Sequence, residues 1–119
     1  MKSIEKVERP WGRFYIIHDE DSYKLKRIEV ESGKRLSYQY HHKRSEAWTI
    51  VEGEGLITID GISKVYKSGD TILIKKLQRH RIENQGKIKL IFIEVQTGSY
   101  FGEDDIVRLE DDYNRVNSK

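Results

Sequence analysis

The chain has 119 residues, 36% of them hydrophobic and 35% charged, which is the balance of one folded domain and excludes an intrinsically disordered chain. Its 22 basic and 20 acidic residues nearly cancel to a net charge of +2 and are interspersed, which argues against a nucleic-acid-binding protein. With no cysteine, a disulfide framework, a thiolate metal site and a cysteine nucleophile are all excluded.

The N-terminal stretch "MKSIEKVERPWG" has no apolar run of the kind a secretory signal needs. The longest apolar stretch, "LIFI" at 90–93, is far too short to span a bilayer, so a soluble cytoplasmic protein with no membrane contact is expected. Pro10, before Trp11 and Gly12, marks an N-terminal loop or edge. In "KLKRIEV", Lys26, Ile28 and Val30 share one face of a strand. In "GLITID", Leu56, Thr58 and Asp60 fall on one side and Ile57 and Ile59 on the other. Asp60-Gly61, between two strand-like runs, is a hairpin signal. Gly-centred turns recur along the chain and separate short segments rich in Ile, Val, Tyr and Thr, which predicts an all-β sandwich or barrel. The stretch "SYFGEDDIVRLEDDYNR" is acidic, with Ile106, Leu109 and Tyr113 near helical spacing, and predicts a short C-terminal helix or an ordered flap. One domain over 1–119 follows, with a core at about 23–97, an N-terminal segment 1–22 and a C-terminal flap 98–119.

The chemistry concentrates in "QYHHKRSE". Gln39 and His41 are two apart on a strand and project together. Glu46 shares a face with Trp48 and Ile50, both core-like, so its carboxylate points inward, where an unpaired charge is costly. A divalent metal would offset it. His80 shares its face with the core-like Ile82. Two imidazoles, a carboxylate and an amide oxygen suit one divalent transition metal, zinc foremost, with Mn, Fe, Co or Ni as alternatives, better than Mg or Ca. His18 and His42 read as ordinary surface or core residues.

The spacing resembles that of the cupin family. Its first motif, G-x5-H-x-H-x(3,4)-E-x6-G, is met by Gly33, Gln39, His41, Glu46 and Gly53. Its second, G-x5-P-x-G-x2-H-x3-N, is met by Gly69, Lys75, Leu77, His80 and Asn84. Every interval fits, but Gln39 stands for a histidine and Lys75 and Leu77 for turn-formers, which predicts a departure in the loop before His80. The resemblance implies a single-domain cupin, a double-stranded β-helix or jelly-roll barrel.

A narrower resemblance covers nearly the whole chain. "ERPWGRFYII", "YKLKRIEVESGKRLSYQYHHKRSEAWTIVEGEG" and the stretch from Val95 to Arg115 are similar to the cupin-type mannose-6-phosphate isomerases, which occur alone or as the C-terminal half of bifunctional guanylyltransferases. In that group glutamine is usual at the position of Gln39, while Ala47 stands where histidine is common. The resemblance implies interconversion of mannose 6-phosphate and fructose 6-phosphate at a metal held by Gln39, His41, Glu46 and His80. Nothing resembles the nucleotidyltransferase half, so guanylyltransferase activity is not expected. Lys26 is the candidate proton-transferring base. Arg108 is a candidate catalytic residue and the first candidate for phosphate, with Arg44 the second. Tyr100 and Asp104 are candidates for shaping the mouth, and Trp11 and Gly12 read as structural. A homodimer is expected by analogy with cupins. The competing readings are a sugar-phosphate-binding cupin without turnover, a non-haem iron oxygenase, and isomerisation or epimerisation of a different sugar.

Overall fold

The computed structural model describes residues 4–113. Among them, eleven strands follow in chain order: β1 (Glu5–Arg9), β2 (Gly12–Asp19), β3 (Tyr23–Val30), β4 (Tyr38–Tyr40), β5 (Arg44–Glu52), β6 (Glu54–Ile59), β7 (Ile62–Lys67), β8 (Thr71–Ile74), β9 (His80–Glu83), β10 (Leu90–Gly98) and β11 (Val107–Glu110). They form two antiparallel sheets, one ordered β1-β2-β3-β10-β5-β8 and the other β11-β4-β9-β6-β7. The N-terminal segment is continuous with the rest, because β1 and β2 extend the first sheet beyond β3. No helix among the described residues is long and apolar enough to cross a membrane.

Period-two patterning places the core. On β5, Arg44, Glu46, Trp48 and Ile50 are buried while the residues between them are partly exposed. Register then sorts the inner face of the first sheet into rows. Phe14, Ile28, Phe92 and Ile50 pair laterally across β2, β3, β10 and β5 and form an apolar row. One step along, Lys26, Glu94, Trp48 and Ile72 lie side by side. The next row is Lys24, Gln96, Glu46 and Ile74. The barrel interior therefore grades from hydrocarbon to charge along its strands, and the polar end is where the site forms.

The Asp60-Gly61 hairpin is as the sequence predicts: Ile59 pairs with Ile62, and Asp60 and Gly61 both take positive φ, 47° and 84°. The C-terminal segment is different from a helix. A single 3-10 turn (Glu103–Asp105) leads into β11, which pairs with β4 through Val107 opposite Tyr40 and Arg108 opposite Gln39. Edge pairing supplies backbone partners that a short, acidic helix would have had to find alone. The remainder of the predicted flap lies outside the described residues.

Leu77 takes φ +68° at the position where the second cupin motif carries glycine. It is the third residue of a β-turn closed by Gln78 N–H donating to the Lys75 carbonyl at 3.1 Å, where a type II turn wants glycine. A branched side chain there is strained, and 57% exposure means it gains little burial in return. Leu77→Gly is expected to stabilise the domain by roughly 0.5–1 kcal/mol, read as a higher urea midpoint at unchanged slope. A lower midpoint would mean that the leucine contributes packing the turn needs.

Candidate metal centre

Three elements bring the ligand candidates together. Gln39 lies on β4, with His41 just beyond it; Glu46 is on β5; His80 opens β9 and pairs directly with Gln39. Ring nitrogens of His41 and His80 and a carboxylate oxygen of Glu46 all lie within 4.8 Å of one another, and all three residues are buried. His41 Nε2 is 3.2 Å from Glu46 Oε2, and His80 Nε2 is 3.9 Å from Glu46 Oε1.

The backbone sets the tautomers. His41 Nδ1 lies 3.1 Å from the Asp105 carbonyl and His80 Nδ1 lies 2.9 Å from the Gln78 carbonyl. A carbonyl oxygen only accepts, so each Nδ1 carries the proton and each Nε2 presents a lone pair. Burial pushes the His41 imidazolium down to about 3, helped by the charge of Arg44, and burial takes His80 down to about 4. Both rings are therefore neutral. Two imidazole lone pairs facing one carboxylate form a donor set for a cation, and orientation of each ring by a carbonyl is the arrangement that metal-binding histidines use. The residues present fit a divalent transition ion. Gln39 lines the same cleft and donates its amide N–H to Ser37 Oγ at 2.9 Å, so the amide oxygen is the atom it could offer a metal.

Around this set lie groups that the sequence reading placed elsewhere or passed over. Arg44 is buried, donates from Nε to Glu46 Oε2 at 2.8 Å, and has Nη2 3.5 Å from His41 Nε2. It is ion-paired with Glu46 inside the ligand cluster. Its Nη1 is buried with no hydrogen-bond partner among the described residues. Trp48 Nε1 lies 2.9 Å from Glu46 Oε1 and 3.3 Å from Glu94 Oε2.

Glu94 was missed. Its signal was legible, since alternation along "LIFIEVQT" puts it on the same face as Phe92, an inward carboxylate in an apolar strand. Burial, with the charge of Glu46 beside it, pushes Glu94 up to about 8. Burial opposes the charge on Glu46 as well, but the hydrogen bond from Glu94 and the partners Arg44 and Trp48 outweigh it and hold that carboxyl below its ordinary range. Glu94 keeps the proton and Glu46 the charge.

The cleft is open to solvent on one side and lined by a mixture of aromatic, aliphatic and charged side chains. Lys26 and Arg108 line it. Lys26 is buried, donates to Glu103 Oε2 at 2.9 Å and has its Nζ 4.2 Å from the centre of the Phe14 ring. Trp11 is buried in the core and also contributes to the cleft wall. Tyr100 and Asp104 are not in that wall: the Tyr100 hydroxyl donates to Asp104 Oδ1 at the surface, and Glu103 and Ile106 of the same segment turn inward instead. Arg9, Arg81 and Glu103 are further cleft residues that the sequence did not single out.

Two stacked antiparallel sheets enclosing a His/Glu/His cluster define a cupin barrel. Two solved structures share the fold: the capsular polysaccharide assembling protein CapF of Staphylococcus aureus and an RmlC-like cupin of Shewanella frigidimarina. CapF superposes with a TM-score of 0.80 at 20% identity, over 92% of this chain and 35% of that one. The Shewanella protein gives 0.72 at 22% identity, over 85% of this chain and 87% of that one. Residues 1–111 match the family described as mannose-6-phosphate isomerase C-terminal, and the chain belongs to that family. It is also 47% identical over 111 residues to the mannose-1-phosphate guanylyltransferase of Escherichia coli, covering 93% of this chain and 23% of that protein. The chain thus spans about a quarter of the curated relatives it matches.

Purified domain is expected to hold about one transition ion per chain, and His41→Ala or Glu46→Ala to lose it, by elemental analysis. Unchanged metal in both variants would dissolve the ligand assignment.

The chelated domain has a further expected signature. Folded Glu94 keeps its proton up to about pH 8, whereas an unfolded glutamate releases it near 4.5, so stability rises as pH falls from about 8. His41 and His80, with folded values of about 3 and about 4 against an ordinary 6.5, contribute stability that is lost as pH falls below about 6.5. Below that point two groups oppose one, so the urea midpoint should peak near pH 6.5 and decline by about pH 5. A steady rise all the way down would contradict the neutral histidine pair.

Proposed function

We propose that this domain interconverts mannose 6-phosphate and fructose 6-phosphate with the help of one divalent transition metal. The observation that carries the reading is the convergence of His41, Glu46 and His80 inside a cleft whose remaining walls are rich in cations. Membership of the mannose-6-phosphate isomerase C-terminal family supports it.

Aldose–ketose isomerisation opens the sugar and moves a proton between C1 and C2. The neighbouring C–H must become acidic, which requires charge stabilisation at the carbonyl oxygen. A metal held by Gln39, His41, Glu46 and His80 supplies that polarisation when bound. Arg44 and Trp48, each bonded to Glu46, fix the carboxylate in one orientation. The ammonium of Lys26 is ion-paired with Glu103, so in this proposal it donates to the developing oxyanion and does not serve as the base considered from the sequence. The proton-carrying step is assigned to Glu103, the ionised cleft carboxylate outside the ligand set. Apolar walls from Phe14, Trp48 and Phe92 limit water and strengthen these interactions. Arg108, on β11 opposite Gln39, is assigned to the phosphate.

A coupled assay for fructose 6-phosphate formed from mannose 6-phosphate tests the reading: activity should vanish on chelation and return with added metal. Arg108→Ala should raise KM for mannose 6-phosphate by about 10- to 100-fold while barely affecting binding of unphosphorylated mannose. A thermal shift with fructose 6-phosphate but no turnover would leave a sugar-phosphate-binding module, and substrate-dependent oxygen uptake would indicate an oxygenase.

A further inference from the structure

We propose that Arg9, at the end of β1, anchors the phosphate of the phosphorylated hexose; this rests on the sugar-phosphate reading of the cleft. Five cationic side chains line the cleft, Arg9, Lys26, Arg44, Arg81 and Arg108, against three carboxylates, Glu46, Glu94 and Glu103. The cations are not equivalent. Arg44 is matched to Glu46, Lys26 to Glu103 and Arg81 to Glu110. The guanidinium of Arg9 donates to the main-chain carbonyl of Glu8 at 3.0 Å, and among the described residues no carboxylate forms a salt bridge with it. Its charge is left for a ligand.

Its placement suits that task. Arg9 pairs with Gly12 across the two-residue turn Pro10-Trp11, where proline fixes one backbone dihedral and the buried Trp11 fastens the turn to the core. The guanidinium carbon lies 5.2 Å from the centre of the Phe14 ring, the same ring that carries Lys26. Two cations held against one phenyl ring repel each other. Glu103 offsets the charge of Lys26, and a dianionic phosphate would offset that of Arg9. The β1–β2 hairpin contributes none of the metal-ligand candidates, so the phosphate end and the carbonyl end of an opened sugar would be gripped by different elements. Arginine's planar fork is the donor geometry that phosphate oxygens accept.

The test is calorimetric titration of the metal-loaded full chain with mannose 6-phosphate, inorganic phosphate and mannose. Arg9→Gln is expected to weaken mannose 6-phosphate and inorganic phosphate by about 10- to 100-fold, with mannose affinity and metal content unchanged. Arg9→Lys should recover part of the loss. Arg9→Met keeps an unbranched stem over Phe14 and should behave like Arg9→Gln, which separates lost charge from lost packing. Binding of mannose 6-phosphate by Arg9→Gln within twofold of the parent chain would overturn the assignment and leave the sugar-phosphate reading intact. An equal loss for mannose and mannose 6-phosphate would mark Arg9 as a packing residue and overturn the assignment too. A parent chain that binds neither phosphate would bring down both.

Discussion

A carboxylate that keeps its charge inside a β-barrel is the constraint on which the rest of this structure depends. Glu46 is buried, and an ion in that position is costly unless surrounding groups compensate for it. The compensation comes from Arg44 on the same strand, Trp48 two residues on and a protonated Glu94 on the neighbouring strand, while two neutral imidazoles face the carboxylate with their lone pairs turned inward. That last feature is the informative one. A cluster built only to neutralise Glu46 would present donors, whereas His41 and His80 present acceptors. The arrangement makes chemical sense around a cation shared by all three.

The two sheets bring this about by simple means. Strand alternation fixes which residues face inward, and lateral register fixes which of them meet. Because β3, β10 and β5 are in register, the polar inward residues of three separate stretches of chain fall into adjacent rows at one end of the barrel, with the isoleucines of β8 beside them. The apolar rows at the other end supply the stability that such a cluster lacks. Phe92, Ile50, Val30 and Leu90 are fully buried there.

The C-terminal segment shows how a peripheral element can control a central one. Asp105 accepts hydrogen bonds from the backbone N–H groups of His42 and Lys43, and its own carbonyl accepts from His41 Nδ1. The same turn sends Glu103 into the cleft to meet Lys26. One three-residue turn thereby orients a ligand candidate and completes an ion pair in the opposite wall. Helical spacing of Ile106, Leu109 and Tyr113 left a short helix or an ordered flap open for this segment, and because an edge on β4 offered backbone partners a strand formed in place of the helix. Local periodicity lost to a tertiary opportunity.

What the sequence by itself determined is the set of groups that are local in character: the strand alternation, the Asp60-Gly61 turn, the inward direction of Gln39, Glu46 and His80, and the motif intervals that mark a cupin. Each depends on backbone geometry over a few residues, and that geometry is written in neighbouring residue types. Only the tertiary structure decided who meets whom. It assigned Arg44 to Glu46 and Lys26 to Glu103, placed Glu94 against Glu46, turned Tyr100 and Asp104 toward each other and away from the cleft, and put Arg9 in the wall without a carboxylate. Ion pairing and proton affinity depend on distance and desolvation between residues far apart in the chain. No local pattern encodes those distances; the register of one strand against another does.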